Sequence, residues 1–298
     1  MKTSRRLIKR NIKLFFKDKG MFLTALITPV ILLVLYATFL GNVYRDSLLA
    51  GLPTGILLTD KVVDALVGGQ LISSLLAVSC VTVAFCSNFL MVQDKVTGAC
   101  NDFLVSPVKP HVLSLSYYVA TLSSTLLICF TATALCLGYL AFLGWFLSFA
   151  DVLFLILDVI LLVFFGTALS SVINFFLTTQ GQISAVGTVI SAGYGFVCGA
   201  YMPISSFAEG MQRVISFLPG TYATSLLRNH AMRGAFAEME RQGIPTIAID
   251  GLRDAMDCNL YFFDHNVELG VMYAILALAV ILLVGVYVLL NVLKKEQK

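Results

Sequence analysis

Six unbroken apolar stretches dominate this chain, at about 21–40, 71–92, 112–143, 152–176, 183–202 and 269–292. A helix that crosses about 30 Å of hydrocarbon needs about 20 apolar residues, because lipid offers backbone groups no partner and each must be satisfied within the helix. All six stretches meet that length. The chain is 58% hydrophobic and only 12% charged, whereas soluble domains carry about 25% charged residues. The expected fold is all-α and integral to the membrane, one transmembrane domain over residues 1–298 with six transmembrane helices. The first stretch is too long for a signal-peptide core, and Gly41-Asn42-Val43 behind it is a poor cleavage context. Pro29 within it predicts a kink, which membrane helices tolerate.

Lys and Arg in the short flanks set the orientation. Lys2, Arg5, Arg6, Lys9, Arg10, Lys13, Lys17 and Lys19 precede the first stretch, and Lys294, Lys295 and Lys298 follow the last. Both termini are therefore expected in the cytoplasm, at the plasma membrane. Residues 93–111 then face the cytoplasm as well, and residues 203–268 form a long extracellular loop. Within that loop Phe207, Met211, Val214, Ile215 and Leu218 recur at helical spacing, predicting a short surface helix stopped by Pro219-Gly220. A second helix is expected over 223–232 with Gly234 as its C-cap. Residues 241–263 read as an acidic, loop-rich cap.

Residues 1–20 form an amphipathic helix, with Leu7, Ile8, Ile12, Leu14, Phe15 and Phe16 on one arc and Arg6, Lys9, Arg10, Lys13 and Lys17 on the other. Such a helix lies along lipid headgroups on the cytoplasmic side. It serves either as a topology signal and anchor or as a force-transmitting element. The cytoplasmic run Gln93-Asp94-Lys95-Val96-Thr97-Gly98-Ala99-Cys100-Asn101-Asp102-Phe103-Leu104-Val105-Ser106-Pro107 combines charges, a glycine break, a short helix and a terminating proline. It presents Phe103 and Leu104 as an apolar knob, either to a partner or folded back onto lipid.

The pattern Asp94-Lys95-x-Thr97-Gly98-x-x-x-Asp102-x-Leu104-x-Ser106-Pro107 resembles the coupling segment between spans two and three of type-2 ATP-binding-cassette (ABC) exporter permeases. The later Pro203-x-x-x-Phe207, Phe217-Leu218-Pro219-Gly220-Thr221-Tyr222-Ala223 and Leu227-Arg228 are similar to the outer region of the same family. Gly98-Ala99 departs from the family's usual Gly-Thr, and Asp102 stands where glutamate is frequent. The resemblance implies a dimer with a second permease copy, identical or not, bound to a dimer of separate cytoplasmic ABC ATPase subunits. It also implies that ATP and Mg bind to those subunits, with no cofactor in this chain. Asp94, Lys95, Gly98, Asp102, Phe103, Leu104 and Pro107 are the implied ATPase-coupling residues. The sequence has no Gly-x-x-x-x-Gly-Lys-Ser/Thr loop to cradle phosphates, so ATP hydrolysis is not expected of it.

Span two carries Ser73, Ser74, Ser79, Thr82, Ser87 and Asn88. Ser79, Thr82 and Asn88, with Gly195 and Phe196 of span five, are candidates for the substrate pathway, as similar exporters suggest. Hydroxyls in a span also bond to carbonyls of their own helix. Gly187, Ser191, Gly195 and Gly199 put a small residue at every fourth position, a surface for intramolecular packing, a dimer seam or the pathway. Asp158 is the one acid well inside a span, roughly 10 Å below the outer surface by helical rise. It is either a proton or cation site or a group that reaches water or a neighbouring hydroxyl.

A net charge of +3 gives no argument for nucleic acid. The seven cysteines lack metal spacing, and His111, His230 and His265 are scattered without a paired nucleophile, each read as an exposed, solvated ring. No catalytic or metal site is expected. The functional expectation is a permease subunit exporting an amphipathic small molecule such as a drug, antibiotic, toxin-like metabolite or lipid-linked compound. Polysaccharide or glycolipid export is an alternative, supported by Tyr117, Tyr118 and Tyr194. A proton-coupled carrier or channel centred on Asp158, and a structural or signalling subunit, are alternatives of other classes.

Overall fold

The computed structural model describes residues 2–51, 58–104, 108–263 and 265–296. Its helices, in order, are α1 (Lys2–Lys17), α2 (Lys19–Leu35), a π turn (Tyr36–Leu40), α3 (Gly41–Gly51), α4 (Asp60–Val96), α5 (Ala99–Leu104), α6 (Pro110–Leu143), α7 (Phe149–Phe176) and α8 (Gln180–Val197). A 3-10 turn (Ile204–Ser206) leads to α9 (Glu209–Ile215), α10 (Pro219–Arg241) and α11 (Thr246–Ala255). A two-residue hairpin, Tyr261–Phe262 against His265–Asn266, precedes α12 (Leu269–Glu296).

Among the described residues five helical stretches are long and apolar enough to cross a membrane: Lys19–Ala50, Asp60–Val96, His111–Leu143, Phe149–Phe176 and Leu269–Leu293. The counterpart of the fifth apolar stretch, α8, has 18 residues and opens on Gln180-Gly181-Gln182. It is not one of the five, because residues 198–202 leave the helix for turns and bends. The second helix runs well beyond the expected 71–92. The first passes through Pro29, and its irregularity comes later, at the π turn.

The hub is α4. In its most apolar window 94% of residues are buried, against 11% for α12 at the periphery. It packs on α2, α6, α7, α8 and α10. Small residues let backbones approach where hydrophobicity alone drives nothing between helices in lipid. A Cβ on Gly166 of α7 would lie 3.1 Å from the Val81 Cα, and one on Gly69 would lie 3.0 Å from the Ala231 carbonyl oxygen of α10. Short connections keep α6 and α7 antiparallel. Ser148 and Asp151 form a reciprocal capping box at the start of α7, and Thr179 with Gln182 does the same for α8.

The segment after α8 departs from expectation. The expected short helix is α9, but it ends at Ile215, before Pro219, and the proline itself sits in the first turn of α10, where it forfeits no helical hydrogen bond. Gly234 is no C-cap, for α10 continues to Arg241. A Cβ there would lie 2.0 Å from the Phe146 carbonyl oxygen, so the glycine admits the α6–α7 connection. The 223–232 stretch is buried against the bundle. Part of the supposed loop-rich cap is the helix α11.

Candidate functional site

Four elements converge where α4 ends. Asp94, buried in the last turn of α4, receives Arg10 Nη1 at 2.6 Å and Nη2 at 3.2 Å from α1. The Tyr117 hydroxyl of α6 donates to the same carboxylate at 2.5 Å. The hydrogen bond to Asp94 is the chief cause that holds the Arg10 guanidinium above its ordinary pKa, so it stays charged. Next to it, Lys95 Nζ donates to the carbonyls of Asn174, Phe175 and Leu177 at 3.0, 2.8 and 3.1 Å. Those are carbonyls at the C-terminus of α7, where an ammonium also meets the negative end of the helix dipole.

Beyond Lys95 the chain turns through Thr97 and Gly98, whose φ of +81° is the left-handed conformation a glycine adopts freely. The short α5 follows. Asp102 is exposed on it, and Phe103 lies half-buried with the Arg10 guanidinium 5.1 Å from its ring centre. Leu104 ends α5, and Pro107 lies outside the described residues. Arg10 therefore touches both the end of α4 and α5.

The leading helix is more than an apolar arc on lipid. Leu7, Asn11 and Phe15 are buried, and α1 packs on α6. Arg5, Arg6, Lys9, Lys13 and Lys17 are exposed while Arg10 turns inward. Its position three residues after Leu7, at the edge of the buried stripe, is the sequence signal for that turn.

The polar residues of the second span are buried in the bundle. Ser73 and Thr82 donate to carbonyls of their own helix, those of Gln70 and Val78. Asn88 Nδ2 donates to the hydroxyls of Ser170 and Ser171, each at 3.0 Å, which ties α4 to α7. Ser79 is fully buried. On α8, Gly187 faces the Phe89 ring, Gly195 faces the Tyr201 ring, Ser191 is half-buried, and Phe196 is 49% exposed. Gly199 lies past the helix at a φ of +73°, against Ile204. This small-residue face makes contacts within the chain, and Val189 and Phe196 stand exposed on the same helix.

At the opposite end of the bundle two polar clusters link distant parts of the chain. Asp158 is 1% exposed and bridges His230 Nδ1 at 2.6 Å and the Tyr273 hydroxyl at 2.5 Å. His230 is thus buried, stacked on Phe154, and not the solvated ring its sequence surroundings predicted. Arg228 of α10, also 1% exposed, donates to Asp257 at 2.7 Å and to the Gly199 carbonyl at 2.6 Å. With its amide oxygen facing the guanidinium, Gln70 of α4 accepts from Arg228 at 3.1 and 3.3 Å. Nothing in sequence spacing marks Arg228 and Asp257 as partners, although an arginine that directly follows Leu226-Leu227 needs an acceptor once its helix is buried. All seven cysteines are free thiols, and burial pushes that of Cys258 up to about 12.

No curated protein matches the chain. The family model described as ABC-2 type transporter matches residues 4–231, which takes in α1, the α4–α5 junction and most of α10. The chain, an integral membrane protein by its apolar helices, belongs to the ABC-2 type transporter family.

Proposed function

We propose that this chain is the permease subunit of an ABC exporter that carries an amphipathic small molecule out of the cell, driven by ATP hydrolysis on a separate ATPase subunit. In this reading six helices span the plasma membrane, α8 being the fifth in chain order, both termini are cytoplasmic, and two permease copies form the pathway. ATP and Mg belong to the ATPase pair. The observation that carries the reading is the α4–α5 junction. Asp94 and Lys95 bind the hub helix to α1, α6 and α7 one turn before α5. A push on α5 is thereby shared among four helices, as a two-state transport cycle biased by nucleotide requires.

Ser79, Thr82 and Asn88 are assigned to the pathway in a state where α4 and α7 separate, with Gly195 and Phe196 on the neighbouring wall. The exposed face of α8 is assigned to the seam with the second copy. Asp158 gives a proton-coupled carrier its one concrete feature, but both carboxylate oxygens already hold α10 and α12 to α7, which favours a structural bridge. Export with Phe103→Asp is the direct test. The ATPase subunit should fail to co-purify, or hydrolysis should continue without transport, and normal coupled export in this variant would overturn the assignment.

A further inference from the structure

A cavity of about 830 Å³ opens at the end of the bundle away from α5. Its walls are the π turn and α3, through Leu40, Val43 and Leu48, the chain after α8 at Met202, and α11, through Ile247 and Leu252. That volume is within the range of about 300–1,000 Å³ typical of small-molecule sites. None of the described residues lining it is charged. Its polar groups are largely committed elsewhere: the Tyr44 hydroxyl donates to the Tyr201 carbonyl at 3.2 Å, and the Gln70 amide meets Arg228. A site of this kind recognises an apolar body and leaves a headgroup outside.

The rim indicates how such a body arrives. Ile247 is 85% exposed and Val43 is 45% exposed, both apolar side chains at the mouth. Val43 also ends a stripe of exposed apolar side chains that climbs the first span through Ile27, Ile31, Val34 and Phe39. On the proposed topology, on which this inference rests, that stripe faces hydrocarbon and the cavity opens at the outer leaflet. An apolar chain lying along α2 meets the mouth without crossing water.

We propose that this cavity is a binding site for the hydrocarbon chain of a lipid-like amphiphile. The chain belongs either to a bilayer phospholipid or to an exported amphiphile. Gly251 provides the means to close it. It lines the cavity, and a Cβ added there meets nothing within 4 Å, so Gly251→Trp adds an indole at the cavity wall without a clash at its Cβ.

The test uses the full chain in phosphatidylcholine vesicles. One arm carries phosphatidylcholine with a diazirine on an acyl chain, and a second carries a diazirine-tagged single-chain alkyl amphiphile. Cross-linked residues are mapped by mass spectrometry. Wild type and Gly251→Ala should be labelled on α11, and that labelling should be lost in Gly251→Trp and in a second blocking variant, Ala248→Phe. Labelling of α12 near Leu278 and Leu282, both exposed, reports that each variant is folded in the bilayer. Label on α11 from the phospholipid arm identifies a bilayer chain, and label confined to the alkyl arm identifies an exported one. Either outcome supports the site. If α12 is labelled while α11 is not, or if the blocking variants leave α11 labelling unchanged, the site is overturned and the permease reading stands. Absence of label on wild-type α12 overturns the membrane placement and the site together.

Discussion

Arg10 and Asp94, 84 positions apart in sequence, form a two-point ion pair that fastens the leading helix to the end of the hub helix. Arg10 is about one-third exposed and Asp94 is nearly buried, so solvent screens the pair only from one side. A charge-assisted hydrogen bond of this kind contributes about 1–3 kcal/mol, less where solvent reaches it. Asp94→Asn should therefore destabilise the protein by about 1–2 kcal/mol. A double-mutant cycle with Arg10→Gln, read from thermal unfolding in micelles, should show the two changes to be less than additive. Full additivity would show that the pair carries no energy.

Lys95 concerns a different joint. Its ammonium donates to the Asn174, Phe175 and Leu177 carbonyls at the end of α7, where helical partners run out, the Asn174 carbonyl also accepting from the Leu177 N–H. Lys95→Met keeps the apolar stem and removes the three donors. The last turn of α7 should then exchange its amide hydrogens faster, while the middle of α6 exchanges as before. Unchanged protection over residues 172–177 would mean that the ammonium does not hold the helix end.

The parts legible in the sequence are those that lipid or a single residue's geometry dictates. Length and apolarity located the five helices that are long and apolar enough to cross a membrane, and Gly98 located the break before α5, because a left-handed turn there favours a glycine. What failed was punctuation borrowed from soluble proteins. Pro219 reads as a stop although proline equally opens a helix, and Gly234 reads as a cap although its missing Cβ makes room for Phe146. The fifth apolar stretch counted residues that the structure places in turns after α8. Charged partners were invisible for another reason. Arg10 with Asp94, Asp158 with His230 and Arg228 with Asp257 meet only through packing, and no local spacing announces them.

Buried Arg228 and Asp257 give a pH-dependent prediction. Burial is the largest cause holding the Asp257 carboxyl above the ordinary carboxylate range, and Arg228 opposes it. A carboxyl raised on folding contributes stability that is full below its unfolded pKa, about 3.9, and is lost as pH rises through the folded value. Arg228→Met removes the opposing charge and so raises the carboxyl further. At neutral pH this variant should lose about 3–5 kcal/mol, the cost of leaving one buried charge unpaired. Its melting temperature should fall more steeply than that of wild type as pH rises above about 4. Adding Asp257→Asn should flatten that slope, and an equal slope in all three proteins would contradict the pairing.

Two glycines separate close packing from mere flexibility. A Cβ at Gly234 would collide with the Phe146 backbone, whereas one at Gly138 meets nothing within 4 Å. Overpacking against backbone costs about 1–3 kcal/mol, and relief by rotamer change is unavailable here. Gly234→Ala should lower stability by at least that range's upper part, measured by heating in micelles. Gly138→Ala should be neutral or slightly stabilising, since alanine is the better helix former. The reverse order would place the α6–α7 connection away from α10.

Asp158 separates the structural bridge from a proton pathway. Asn at this position keeps an acceptor for the Tyr273 hydroxyl and offers Nδ2 to a His230 ring nitrogen in its accepting tautomer. Asp158→Leu leaves buried His230 and half-buried Tyr273 without this acceptor, at a cost of about 1–3 kcal/mol for the buried ring. If the carboxylate is structural, Asp158→Asn should export at close to the wild-type rate, with the same pH profile. Asp158→Leu should then be poorly assembled and inactive. A well-assembled Asp158→Asn variant that exports nothing, or whose export loses its pH dependence, would instead assign the carboxylate to proton movement and reopen the carrier reading.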